Sequence, residues 1–193
     1  MEHLFKYNEY QMLRNIEKMN DTNKGNRSLY ESVFSQEVLS ALTDWKRYYT
    51  ENEGVLIGGL ALSFYVKPRM TFDIDVLFLH KKDIPSEVTR FKRHRKGAFQ
   101  HDKTHVEVEV LSPETINTEQ HIVDKIFETA IEIDGFRIAS PNGIIALKLG
   151  RFSYQDRADI YALKCYLKEN GEEVNLSIFN LSDELLKRFE TIE

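Results

Sequence analysis

The stretch TFDIDVLFL, Thr71 to Leu79, constrains this chain more than any other. It is rich in β-branched and aromatic residues and reads as a central β-strand. Yet two aspartates flank an isoleucine inside it. Side chains alternate along a strand, so Asp73 and Asp75 share one face, and Ile74, Val76 and Phe78 share the other. Two carboxylates side by side on an internal strand repel each other and resist burial. A cation has to compensate them. One reading is an ion pair with a nearby arginine such as Arg69. The other is a divalent metal, Mg2+ (or Mn2+), which prefers oxygen ligands and commonly takes one or two carboxylates together with substrate phosphates.

A second strand bears on the choice. THVEVEVL alternates cleanly, with Glu107 and Glu109 on one face and Val106, Val108 and Val110 on the other. If it neighbours the first strand, a third carboxylate reaches the same place; a simple solvated face is the plainer reading. Convergent carboxylates can hold ions that activate an attacking hydroxyl and offset the charge of a leaving pyrophosphate. Upstream, Gly58 and Gly59 lie between a short strand, VLI, and a short helix, LALSFYV, stopped by Pro68. Bare backbone N–H groups at such a junction can bind phosphate oxygens. An ordinary tight turn is the alternative, and neither a P-loop nor a G-x-G-x-x-G pattern is present.

The rest of the chain frames these strands. Helical spacing is found in EYQMLRNIEKM, between Ser35 and Tyr49, from Glu119 to Thr129, in SPNGIIALKLGRF and in DRADIYALKCYLK, with a last helix starting at Ser182. IPSEVTRFKRHRK also reads as a helix, with Pro85 near its first turn. IEIDGFRI reads as a hairpin with an Asp134-Gly135 turn. The expected class is α/β (α+β): a mixed β-sheet flanked by helices, with extra helices at both ends. Residues 1–53 form an N-terminal helical segment, 54–140 the sheet core and 141–193 C-terminal helices, in one compact domain. A length of 193 residues suits one substantial core. No apolar run approaches the ~20 residues of a membrane span, and MEHLFKYNEY lacks the apolar core of a signal peptide. The only cysteine, Cys165, excludes an internal disulfide and fits a reducing cytoplasm, where the protein is expected. A net charge of −5 argues against general DNA binding but leaves room for a local basic patch.

Gly58-Gly59, then a helix, then Asp73-Ile74-Asp75, then an acid on a later strand resembles the nucleotidyltransferase superfamily, the DNA polymerase β-like fold. Within it, GGLALSFYVKPRMTFDIDVLF with SPNGIIALKLGRFSYQDRADIYAL resembles the AbiEii-like group, over roughly Val55 to Leu167. That group includes toxins of toxin–antitoxin and phage-defence systems and many uncharacterised bacterial proteins. The resemblance implies metal-dependent transfer of a nucleoside monophosphate from an NTP to a hydroxyl acceptor. The acceptor stays open among RNA such as tRNA, protein and a small molecule, and a cognate antitoxin or toxin is an expected partner. Asp73, Asp75 and a third acid would hold Mg2+. VEVL followed by SP matches the family's strand end, which favours Glu109, with Glu107 as the alternative. The third acid is commonly aspartate in the family, and better-studied toxins carry Gly-Ser where this chain has Gly-Gly. The group's second hallmark, a lysine-bearing helix and then Lys/Arg-x-Asp-x-x-Asp, matches Lys148, Arg151, Asp156 and Asp159. Gly58, Gly59, Arg69, Thr71, Lys148 and Asp159 would contact or support the nucleotide, with Asp159 orienting Lys148 or lining the site.

Lys148 also stands out without the family. It follows Ile144 by one turn on the arc that must pack inward, so an anion should meet it unless it snorkels to solvent. RFKRHRK, Arg90 to Lys96, holds five Lys/Arg residues and one histidine. It reads as a solvated helix end or as a phosphate-binding edge. Two readings compete with an enzyme: an inactive relative acting as an interaction or antitoxin module, and an RNA-binding protein.

Overall fold

The computed structural model describes residues 35–48, 54–66, 71, 73–133 and 136–192. The expected first helix, Pro68, Arg69 and the Asp134-Gly135 turn lie outside the described residues. Helix α1, Gln36–Tyr48, buries Val38, Ala41, Leu42 and Trp45. Strand β1, Val55–Ile57, runs straight into the short helix α2, Gly58–Leu62. Strand β2 is Asp73–Leu77, β3 Phe91–Arg95, β4 Ala98–His101 and β5 Glu107–Leu111. A short α3, Pro113–Ile116, precedes α4, Gln120–Thr129. Strands β6, Ile131–Ile133, and β7, Phe136–Ile138, form the expected antiparallel hairpin. Helices α5, Pro141–Arg151, α6, Tyr154–Glu169, and α7, Asp183–Glu190, complete the described chain.

The strands form one mixed sheet of seven in the order β3-β4-β5-β2-β1-β7-β6. β2 lies at its centre, antiparallel to β1 and parallel to β5. Ile74, Val76, Val108 and Val110 are buried on one face of the central strands. They join a hydrophobic core to which residues from Val38 to Ile192 contribute. Among the described residues, no helix is long and apolar enough to cross a membrane.

Caps begin the C-terminal helices as their residue types anticipate. Ser140 accepts a hydrogen bond from Gly143 N at 3.2 Å, and Pro141 takes the first turn of α5. Ser153 and Asp156 form a reciprocal box at the start of α6.

One expectation is overturned. Ile84 to Lys96 is not a helix. A single 3-10 turn, Lys81–Asp83, leads to the edge strand β3, which pairs antiparallel with β4. Packing outweighs helix propensity here. Phe91 is buried, with its ring edge-on to Trp45 of α1 at 5.3 Å between centroids, and Trp45 meets Phe99 of β4 at 5.8 Å. Arg90 has a φ of 68°, which ends any helical path, and Gly97 supplies the φ of 80° that the β3–β4 turn uses. Strand alternation is hidden in the sequence because the register shifts between Arg93 and Arg95, a β-bulge. The exposed cations of β3 then discourage a further strand from pairing with the sheet edge.

The hairpin is further tied to α1 by polar contacts. His101, fully buried, has Nε2 3.1 Å from Asp44 Oδ2 and Nδ1 2.7 Å from Thr104 Oγ1, and Arg90 reaches Asp44 at 3.2 Å. Trp45 is therefore the apolar joint between α1 and the hairpin. Trp45→Ala should destabilise the protein by about 3–5 kcal/mol, the range for truncating a large buried aromatic. Urea denaturation followed by far-ultraviolet circular dichroism reads this; a loss under about 1 kcal/mol would show that α1 is not part of the cooperative core.

Candidate functional site

Register settles where the acids stand. β2 and β5 align Asp73 with Glu107 and Asp75 with Glu109. Residues directly opposite on paired strands share a face, so all four carboxylates project from the side opposite Ile74 and Val108. Across the other edge of β2, Asp75 faces Ile57, the last residue of β1. The next residue, Gly58, has a φ of 68°, and a Cβ there would lie 1.8 Å from Asp75 Oδ2. Only glycine gives both the backbone angle and the clearance. Thr71, buried at the entrance to β2, donates from Oγ1 to Asp73 Oδ1 at 3.0 Å and so fixes that carboxylate.

The opposing wall comes from α5 and α6. Lys148 is buried, and its Nζ donates to Asp159 Oδ2 at 2.7 Å and to Asp156 Oδ1 at 3.2 Å. Arg151 grips Asp156 with a two-pronged pair, Nε to Oδ2 and Nη2 to Oδ1, both at 2.7 Å. Ser153 adds bonds to Asp156 Oδ2 from its N–H at 3.0 Å and its hydroxyl at 2.7 Å. Burial alone would raise the Asp156 carboxyl. The bonds from Arg151 and Ser153 outweigh it and hold the group well below the usual carboxylate range. Gln155 completes the network, donating to Asp159 Oδ1 at 3.0 Å.

Between these walls lies a cleft of about 720 Å3. One end is acidic, with Thr71, Asp73, Asp75 and Glu109. Gly58 and Gly59 form its edge, and Lys148 and Arg151 the basic side. Leu111, Ile116, Asn117 and Thr118 also line the cleft. Burial, then repulsion by Asp73 and Glu109, pushes the Asp75 carboxyl up to about 7, against the pull of Lys148 and Arg151.

The expected residues thus come together unequally. Glu109 lines the cleft, whereas Glu107 is one step further along the face and outside it. Asp159 stands behind Lys148 rather than on the cleft wall. Arg69 lies outside the described residues. Both glutamates are engaged by one residue, Arg95 of β3, through its Nη2, with His94 Nε2 3.7 Å from Glu107. Nothing in the sequence spacing assigns Arg95 to them, because the bulge breaks the alternation that would have done so. Asn117, Thr118 and Gln155 carry no sequence signal either; they sit in a loop and a helix turn with no pattern of their own.

Among the described residues, no group of three or more His, Cys, Asp or Glu side chains is arranged to hold a metal ion. A smaller donor set fits one. Asp73 and Asp75 both line the cleft, burial and then the neighbouring acids disfavour the charged Asp75 carboxylate, and Mg2+ needs only one or two carboxylates when phosphates and water complete its octahedron. No protein-family model matches the chain, and no curated protein matches it.

The raised Asp75 carboxyl has a signed consequence. The folded state binds this proton more tightly than the unfolded chain, so stability falls as pH rises from the ordinary 3.8 towards about 7. Each tenfold gain in proton affinity is worth about 1.4 kcal/mol; with partial solvent access the cost above pH 7 is on the order of 2 kcal/mol. Asp75→Asn should therefore raise the melting temperature in EDTA at pH 8 and change it little at pH 4. Equal melting temperatures at pH 8 would show that burial and the neighbouring acids do not raise this carboxyl.

Proposed function

We propose that the protein is a metal-dependent nucleotidyltransferase with the fold of that superfamily, moving a nucleoside monophosphate from an NTP to an acceptor hydroxyl. One observation carries the reading. An Asp-x-Asp strand faces a glycine turn with no room for a side chain, has a third carboxylate in register on the parallel neighbour, and looks across a cleft at a lysine and an arginine. The motif spacing and the resemblance of Val55 to Leu167 to the AbiEii-like group support the same reading.

In the proposed reaction the acceptor oxygen bonds to the α-phosphorus and the bond from that phosphorus to the pyrophosphate oxygen breaks. Pyrophosphate departs, and the acceptor proton passes to a carboxylate. Asp73 and Asp75 would hold Mg2+ (or Mn2+), which when bound offsets charge on the phosphates and favours the deprotonated hydroxyl. Thr71 keeps Asp73 oriented through its 3.0 Å bond. Gly58 and Gly59 let the triphosphate approach the backbone beside Asp75. Lys148 and Arg151 supply positive potential, and their bonds to Asp156 and Asp159 keep them from folding onto the acid wall. Glu109 is the nearest additional base, aligned with Asp75.

A second reading is favoured by one feature: Arg95 already engages Glu107 and Glu109, and Lys148 already engages two aspartates. A non-catalytic interaction module, such as an antitoxin, would use these ion pairs as scaffold. Incubation with an α-labelled NTP and Mg2+, with tRNA, protein and small hydroxyl acceptors offered separately, distinguishes the two. The nucleotidyltransferase places label on an acceptor and releases pyrophosphate in equal amount, and Asp73→Asn lowers both at least a hundredfold. Absence of transfer and of pyrophosphate with every acceptor, from protein that is folded, would leave the interaction module as the reading.

A further inference from the structure

β3 and β4 pair in regular register from Phe91↔His101 to Arg93↔Phe99, and then Arg95 pairs with Ala98. Two residues of β3 thus advance against one of β4, leaving His94 as the extra residue of a bulge. The geometric effect is specific. Phe99 stands opposite Val108, and Ala98 opposite Glu109. Arg93 accordingly lies on the Val108 face, where its guanidinium covers the Phe99 ring at 5.0 Å. Without the bulge, Arg95 would follow Arg93 onto that face. With it, Arg95 crosses to the carboxylate face, over the small and fully buried Ala98, and meets Glu109 and Glu107. Bulges re-aim side chains in this way beside functional sites.

Arg95 is half exposed, near the tip of an edge hairpin closed by Gly97, so it can leave without disturbing the core. While it stays, Glu109 bonds a guanidinium rather than joining Asp73 and Asp75, in keeping with the absence of a three-carboxylate metal group among the described residues. A divalent ion at the aspartates would draw Glu109 and repel the guanidinium. Two cations that exclude each other from one carboxylate are coupled, and the coupling is reciprocal.

We propose that Arg95 is a positioning residue that competes with the divalent ion for Glu109: it holds Glu109 off the metal in the resting protein and is expelled from Glu109 when the ion binds. This inference rests on the metal reading of Asp73 and Asp75. It adds that the site is self-restrained by its own edge hairpin.

Mn2+ binding, followed by electron paramagnetic resonance of the free ion without nucleotide, tests it in a four-protein cycle: wild type, Arg95→Gln, Glu109→Gln and the double variant. Circular dichroism checks that each is folded. Arg95→Gln should bind Mn2+ at least threefold tighter than wild type, and the gain should vanish in the Glu109→Gln background. An Arg95→Gln affinity equal to or weaker than wild type overturns the proposal. So does an equal gain with and without Glu109, which would be a through-space charge effect only. Asp75→Asn separates the levels. If it abolishes Mn2+ binding while Arg95→Gln is inert, the competition fails and the metal reading stands. If neither wild type nor Arg95→Gln binds Mn2+, both fail.

Discussion

Repulsion among carboxylates on one face of two adjacent strands is the constraint that the rest of the structure answers. Asp73, Asp75, Glu107 and Glu109 are aligned in pairs by the parallel register of β2 and β5. Their backbones are held by a core that has no reason to yield, since Ile74, Val76, Val108 and Val110 on the reverse face are buried. The side chains cannot be separated without breaking the sheet. Relief comes from cations at either end: Arg95 at the hairpin and, at longer range, Lys148 and Arg151 across the cleft. Asp75, in the middle, is left short: burial first, and then the charges of Asp73 and Glu109, push its carboxyl up to about 7.

The basic wall is built on a different principle. Lys148 is buried on a helix whose inner surface is apolar, which is costly without an anion. Asp156 and Asp159, one turn apart on α6, meet it, and Arg151 and Ser153 lock Asp156 in place. A lysine paired in this way is rigid and does not collapse onto the acids opposite. The cleft stays open between an acid face and a wall on which Lys148 and Arg151 are already paired with Asp156 and Asp159. On the proposed reading, its ligand is an NTP with its metal.

Much of this is legible in the sequence, for reasons that can be stated residue by residue. Strict alternation in DIDV and VEVEV places acids and valines on opposite faces, and a strand face is a local property. The Ser140-Pro141 start marks α5 because capping is local as well, whereas α6 begins at Tyr154, ahead of the DRADIYALKCYLK pattern, with Ser153 and not Asp156 as its cap. Three things are hidden. Ile84 to Lys96 reads as a helix, yet it leads into an edge hairpin because Phe91 finds Trp45, a residue 46 positions earlier; no window along the chain contains that contact. The partner of the glutamates is hidden by the bulge at His94, which moves Arg95 to the face that simple counting denies it. The register that puts Glu109, and not Glu107, on the cleft wall is likewise a property of the assembled sheet.

The central claim is that the β2 aspartates are arranged to hold a divalent ion. Anomalous diffraction from crystals soaked in Mn2+ tests it most directly. The account predicts a Mn2+ peak touching carboxylate oxygens of both Asp73 and Asp75, at about the 2.1 Å typical of small octahedral ions. A structure in which Mn2+ at millimolar concentration binds elsewhere, or leaves these two carboxylates bare, would contradict it.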